Sequence, residues 1–202
     1  MKHPNEGYIK FHCHLSHTDE IIDRALYSEI NDCRNLLFSK SLIGAYSNGV
    51  GYGNISVRRE TSNEFYISGS ATGAIDHLIP THYVLVNKVD IATNTVFCLG
   101  CIEASSESMS HAVIYQSNRA INAVVHIHSQ KIWETYLHKL PTTPENCAYG
   151  TPEIAEAIAR LVRENPENRG IIITAGHQEG IITYGETVEE AATIALSYFT
   201  PK

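Results

Sequence analysis

Residues 123–128 read Ala123-Val-Val-His-Ile-His128, and this stretch decides the fold. A short apolar run of that length is a buried strand. Side chains alternate along a strand, so His126 and His128 leave the same face. Two imidazoles buried among aliphatic neighbours are costly unless each finds a partner. One metal ion would serve both, although an H-x-H pair also occurs as one satisfied core histidine beside a surface one.

Working outward, Gly170-Ile-Ile-Ile-Thr174 is a second buried strand, turned by Ala175-Gly176, with Ile181-Ile-Thr183 continuing after the turn. Thr151 followed by Pro152 opens a helix to about Glu164, and Thr187-x-x-Glu190 is a capping box for a last helix. Upstream, Ser105-Ser-Glu-Ser starts a helix carrying Met109, Ala112, Val113 and Tyr115. Strands are expected at Ile55–Arg58, Phe65–Ile67, Tyr83–Val86 and Thr95–Phe97. A helix from about Asp19 to Ser39 carries Ile22, Ala25, Leu26, Ile30, Leu36 and Leu37 as its apolar stripe, with Gly44 as the stop. Strands outnumber helices, hairpin-like pairs recur, and helices sit at both ends and in the middle. The pattern is an α/β layered domain with a mixed sheet.

The chain has 202 residues, enough for one domain with a sizeable core. We expect a single domain over 1–202, with 1–18 as an extension. That extension holds a short extended piece, Tyr8 to Cys13, and the cluster His12, His14 and His17, which a frayed terminus would make a poor cage. A formal net charge of -7 argues against nucleic-acid and membrane-surface partners, which want a basic face. The five cysteines are scattered, and neither a secretory signal nor a bilayer-length apolar run is evident, so a reducing cytoplasm is expected. Cys98 and Cys101 form a lone C-x-x-C, whereas structural zinc usually takes two such pairs.

His177 follows a buried strand and an Ala-Gly turn, a position where sites gather, although a polar turn residue is the plainer reading. A third imidazole would complete the three-ligand pattern of a catalytic zinc. Glu107 sits at a helix start, where an acidic residue is also favoured by the helix dipole alone. His111 follows one turn later and could support a ligand from behind. Small-residue turns recur at Gly51-Tyr-Gly53-Asn54, at Ser68 to Gly73 and at Ser105-Ser106. Such turns leave backbone N–H groups open to an anion, so together they suggest a phosphate pocket.

The pattern resembles the class II aldolase/adducin family. The matching motifs are Gly53-Asn54-Ile-Ser56, Thr72-Gly73, Ser105-Ser106-Glu107 with His111 after it, Val124-Val-His-Ile-His128 and Gly176-His177. They occur in the family's order over roughly Ile30 to the C-terminus. The resemblance implies a three-layer α/β/α domain whose central sheet is mixed and mainly antiparallel, assembled as a homotetramer with sites at subunit interfaces. It implies that His126, His128 and His177 bind one divalent metal per subunit, with zinc first and manganese or iron as alternatives. Glu107 would be the general acid/base and could also ligate the metal. Gly53, Asn54, Thr72, Gly73, Ser105 and Ser106 would hold the phosphate of a small sugar substrate.

The chain departs from the family pattern in places. The segment from His128 to Gly150 is shorter than in well-known sugar-phosphate aldolases, leaving Tyr136 and Tyr149 as candidates for a catalytic tyrosine. Gln178 stands where glycine is usual, and the chain ends at Lys202, soon after its last helix. The leading expectation is a metal-dependent lyase acting on a ketose phosphate. Epimerase, dehydratase or decarboxylase chemistry at the same site, and an adducin-like interaction module without catalysis, are alternatives. A metallohydrolase ranks below them, because no H-E-x-x-H motif is present.

Overall fold

In the computed structural model, which describes residues 9–18 and 22–199, the Ala123–His128 stretch is a central strand buried at every position. In chain order the elements are β1 (His12–His17), α1 (Arg24–Ser39), β2 (Gly44–Ala45), β3 (Gly51–Tyr52), β4 (Asn54–Arg58) and β5 (Phe65–Ser68). After a 3-10 turn at Pro80–His82 come β6 (Tyr83–Asp90), β7 (Thr95–Gly100), α2 (Ser108–Ser117) and β8 (Ala123–His128). The chain continues with α3 (Gln130–Tyr136), α4 (Pro152–Glu164), β9 (Gly170–Ile173), β10 (Gly180–Gly185) and α5 (Val188–Ser197).

Eight strands form one sheet in the order β1-β7-β6-β5-β4-β8-β10-β9, and β2 pairs with β3 as a separate short ribbon. The β1–β7 pair is parallel and every other pair in the large sheet is antiparallel, so the sheet is mixed and mainly antiparallel. One face packs Phe65, Val84, Val96, Val124 and Ile182 against Met109 and Val113 of α2 and Ile154 and Ile158 of α4. The other packs Ile55, Val125, Ile127, Ile173 and Ile181 against Ile30 and Leu37 of α1 and Ala191 and Ala195 of α5. This is the three-layer α/β/α arrangement. Each fully buried aliphatic side chain contributes about 1.5–3 kcal/mol. Val125 and Ile127 face α1 and α5, so alternation sends His126 and His128 to the face that carries α2.

Several sequence expectations are corrected. The first helix begins at Arg24 rather than near Asp19, and residues 19–21 lie outside the described ones. Asp23 caps it, accepting from the N–H groups of Ala25 and Leu26 at 2.8 and 3.3 Å. Its buried face is Ile30, Asn31, Arg34 and Leu37, while Leu36 points outward at 45% exposure. The stop is Ser41 in the left-handed conformation (φ 56°), with Leu42 N–H donating to the Leu37 carbonyl. Gly44 belongs to the β2–β3 ribbon instead.

At the amino-terminal end, Tyr8 lies outside the described residues, but His12–His17 is a paired edge strand rather than a frayed end. Phe11, Cys13 and Leu15 anchor it in the core beneath α2 and α4. The capping box at α5 is half formed. Thr187 Oγ1 accepts from Glu190 N–H at 3.1 Å, while the Glu190 carboxylate accepts from Glu186 N–H, one residue before the cap. Helix α3 and the β2–β3 ribbon were not foreseen. Among the described residues no helix is long and apolar enough to cross a membrane.

Candidate functional site

The site grows from the register of the central strands. Asn54 on β4 lies opposite His126 on β8, and Gly180 on β10 lies opposite His128. The turn between β9 and β10 brings His177 onto the same pair of imidazoles. It is held by Thr174 Oγ1, which donates to the Gly180 carbonyl at 2.7 Å. Gly176 makes the turn possible, because a Cβ there would meet the Cys147 carbonyl oxygen at 2.1 Å.

His126, His128 and His177 are all buried, and each offers a ring nitrogen within 4.8 Å of the other two. Among the described residues they are the group of three or more histidine, cysteine or acidic side chains placed to share an ion. Hydrogen bonds fix the tautomers of the two strand histidines. His126 Nδ1 lies 3.2 Å from the Ile181 carbonyl, which can only accept, so Nδ1 carries the proton. Tyr46 Oη donates to Glu179 Oε2 at 2.9 Å, so its oxygen is left to accept from His128 Nδ1 at 2.8 Å. Both Nε2 atoms therefore present lone pairs, and they face each other at 3.0 Å. Two such lone pairs repel unless a cation lies between them. Neutral imidazoles with the second nitrogen tied back are what a divalent metal selects, so the residues fit one. A tetrahedral zinc would ask for nitrogens about 3.3–3.4 Å apart, inside the observed spread.

Glu107 stands beside this cluster, 3% exposed. Its Oε2 accepts from Ser110 Oγ at 2.8 Å, and its Oε1 lies 3.5 Å from His177 Nδ1 with no hydrogen bond among the described residues. The second helix of the sequence reading starts later than expected, at Ser108. Glu107 is its cap residue, and Ser105 and Ser106 form the turn before it. Behind the cluster, His111 Nδ1 pairs with Ser56 Oγ at 2.7 Å. Complete burial, with His126 nearby, holds its pKa well below the ordinary 6.5, so it is neutral.

Gly53, Asn54, Thr72, Gly73, Ser105, Ser106, Glu107 and His126 all line one cavity of about 250 Å³. Every residue expected to touch substrate is thus on its wall. The wall is thin where the two glycine turns meet, since a Cβ on Gly73 would lie 2.4 Å from the Gly44 carbonyl and 2.9 Å from Gly51 Cα. Asn54 Oδ1 is buried there without a hydrogen bond among the described residues. Such a group costs about 1–3 kcal/mol, which a polar ligand would offset.

Other expected residues fall elsewhere. His12, His14 and His17 are exposed on the edge strand, five strands from β8, and His14 stacks on Phe97. Cys98 is buried beside Cys13, with sulfurs 3.7 Å apart, while Cys101 is exposed, and all five cysteines are free. Tyr149 packs on His177 within the same chain, ring centres 4.7 Å apart and tilted by 30°, whereas Tyr136 packs against Tyr198.

Three contributors escaped the sequence reading. Arg34 of α1, 1% exposed, donates to the carbonyls of Asp76 at 2.7 Å and of Thr72 and Gly73 at 3.3 Å, fixing the cavity's Thr72–Gly73 turn. An arginine between Ile30 and Leu37 on an apolar stripe was the available signal. Tyr46 and Glu179, which hold His128, carried no signal in composition or spacing.

Residues 39–198 match the sequence profile described as Class II Aldolase and Adducin N-terminal domain. The chain belongs to the class II aldolase/adducin family. Members of the aldolase branch depend on a metal, and this class II aldolase/adducin chain carries a cluster of three histidines that could hold one. The fold is shared with l-fuculose-1-phosphate aldolase from Thermus thermophilus, at 22% identity and TM-score 0.62, over 87% of this chain and 90% of that one. YgbL from Escherichia coli aligns at 19% identity and TM-score 0.65, over 86% and 84% of the two chains. A sugar-phosphate aldolase from Thermotoga maritima aligns at 17% and 0.59, over 84% and 88%. At these identities the likeness is one of fold. No curated protein sequence matches the chain.

Proposed function

We propose that this class II aldolase/adducin chain is a metal-dependent aldehyde-lyase that cleaves a carbon–carbon bond in a small ketose phosphate or a related hydroxy-carbonyl compound. The observation that carries this reading is the cluster of three imidazoles beside the Glu107 carboxylate, with His126 and Glu107 on the wall of a cavity built from glycine and serine turns. His126, His128 and His177 would hold one divalent ion per subunit, zinc first and manganese or iron as alternatives. When bound, that ion supplies Lewis-acid stabilisation of negative charge developing next to a substrate carbonyl.

The chain's own residues do the rest. The backbone N–H groups of Gly53, Thr72, Gly73, Ser105 and Ser106, with the side-chain nitrogen of Asn54, hold the phosphate. The Thr72 hydroxyl shapes the turn by donating to the Gly69 carbonyl at 2.8 Å, and Ser105 and Ser106 add the positive end of α2. Glu107 Oε1 takes the proton from the substrate hydroxyl whose carbon becomes the new carbonyl. It returns that proton to the carbon left with the electron pair of the broken bond, while Ser110 fixes the other oxygen. Burial of the carboxylate keeps bulk water from competing for that proton. We further expect a homotetramer working in the cytoplasm.

The test is elemental analysis of the purified protein beside His126→Ala, followed by product masses from a panel of ketose phosphates. Near one equivalent of metal, lost in the variant, and two smaller products are expected. Loss of water or an unchanged mass would move the reaction to a dehydratase or epimerase at the same site. No metal after incubation with zinc would overturn the enzyme reading in favour of an interaction module. Glu107→Gln should keep the hydrogen bond from Ser110 and lose about 10²–10⁴-fold in turnover.

A further inference from the structure

We infer that Tyr46 and Glu179 form a relay that positions His128 for metal binding and raises the affinity of the centre, an inference that rests on the metal reading above. Glu179 lies two residues beyond His177, in the turn that enters β10. Its backbone is left-handed, with φ 67°, a region that glycine occupies freely and glutamate rarely does. Residues kept in such conformations cluster where the side chain has work that glycine cannot do. Here the side chain is a carboxylate only 16% exposed, turned inward to accept from Tyr46 Oη at 2.9 Å. Tyr46 in turn accepts from His128 Nδ1 at 2.8 Å, and Glu179 Oε2 itself lies 4.0 Å from that nitrogen.

The relay has two effects. It fixes the His128 tautomer, so that Nε2 is a lone pair aimed at the shared point. It also places the partly buried Glu179 carboxylate behind the ring, which makes the coordinating nitrogen a better donor to the ion. Tyr52 completes the brace by stacking on His128 at 5.4 Å, with 29° between planes, and by packing on Tyr46 at 4.7 Å. His126 is held differently, with its Nδ1 donating to the backbone carbonyl of Ile181, whereas the Tyr46–Glu179 relay is built on His128. Tyr46 comes from the loop closing the β2–β3 ribbon and Glu179 from the β9–β10 turn. Two segments remote in sequence therefore meet on one ligand.

Removing such a partner typically weakens metal affinity 10–100-fold. The experiment measures zinc affinity by competition with a chromogenic chelator, together with the melting temperature of the metal-free protein, for wild type, Tyr46→Phe, Glu179→Gly and Glu179→Gln. Tyr46→Phe and Glu179→Gly should each lose 10–100-fold in zinc affinity, with Glu179→Gln between them and wild type, because an amide can still pair with Tyr46 but carries no charge. The metal-free Glu179→Gly protein should melt at or above the wild-type temperature, since glycine accepts the left-handed backbone. Wild-type zinc affinity in Tyr46→Phe and Glu179→Gly overturns the relay while leaving the metal reading intact. A loss of affinity matched by a lower metal-free melting temperature in both makes the pair merely structural and also overturns it. Failure of the wild type to bind zinc overturns the relay together with the function proposed above.

Discussion

Gly73→Ala tests the cavity wall without removing any polar group. The added methyl would lie 2.4 Å from the Gly44 carbonyl oxygen, 2.9 Å from Gly51 Cα and 3.0 Å from the Tyr52 nitrogen. Ordinary contact between such atoms begins near 3.5 Å, so the two turns must part by about 1 Å. All three neighbours are backbone, which no rotamer change can move aside. The Gly73 side is also clamped, because Arg34 holds the carbonyls of Thr72, Gly73 and Asp76. Overpacking costs about 1–3 kcal/mol, and this site belongs at the upper end. For a chain of this size 1 kcal/mol moves Tm by about 2–4 °C, so a fall of about 6–12 °C is expected. The assay is thermal unfolding followed by circular dichroism, with calorimetric titration of a ketose phosphate beside it. Binding should weaken at least about tenfold, as a 1.4 kcal/mol loss of contact would give. A variant with wild-type Tm and wild-type affinity would refute the close approach of the two glycine turns.

Arg34→Met should keep the volume in the helix face and leave three loop carbonyls without their donor, destabilising the protein by about 2–4 kcal/mol. Urea unfolding measures this, and a change below about 0.5 kcal/mol would show that the clamp is idle. His111 gives a pH signature. Its folded pKa lies well below 6.5, so the unfolded chain takes up the proton first. Its contribution is full above about pH 6.5 and is lost as pH falls through that value, by at most about 1.4 kcal/mol per unit. Stability of the metal-free protein between pH 5 and 7.5 should therefore fall less steeply in His111→Gln than in wild type, and parallel curves would contradict the assignment. Occupancy of the histidine cluster should stabilise the fold by about 2.7 kcal/mol at a free metal concentration of a hundred times Kd. That is about 5–11 °C in Tm. It should vanish in His126→Ala, and an equal gain there would place the metal elsewhere.

What the sequence made legible was what repeats locally. The Ala123–His128 and Gly170–Thr174 strands announce themselves by apolar runs, and Thr151-Pro152 marks its helix correctly because the signal lies within two residues. The gathering of His126, His128 and His177 followed from strand alternation plus a turn, helped by the family resemblance. What stayed hidden depends on distant partners. Parallel pairing of β1 with β7 joins residues more than eighty apart and leaves no local mark. Helix α3 is only seven residues long, yet Ser129 caps it and Ile132, Trp133 and Tyr136 supply its apolar side, so it could have been read. Asp23 carries no stronger local signal than Asp19 in the sequence, and its hydrogen bonds to the first turn are what identify it as the cap. Arg34 looked like one more charged residue on a helix until its three carbonyl partners came from another segment.

The pairing of Asn54 with His126 across β4 and β8 has a consequence for how such a protein can change over evolutionary time. A strand has a period of two, so inserting or deleting one residue in β4 would turn Asn54 to the opposite face and set a hydrophobic residue beside the histidine. The anion wall and the metal ligands are consequently not separable modules. A lineage can drift more freely at the rim of the cavity, at Ser70, and so acquire new substrates. The rung joining β4 to β8 is inherited whole or the site is lost with it.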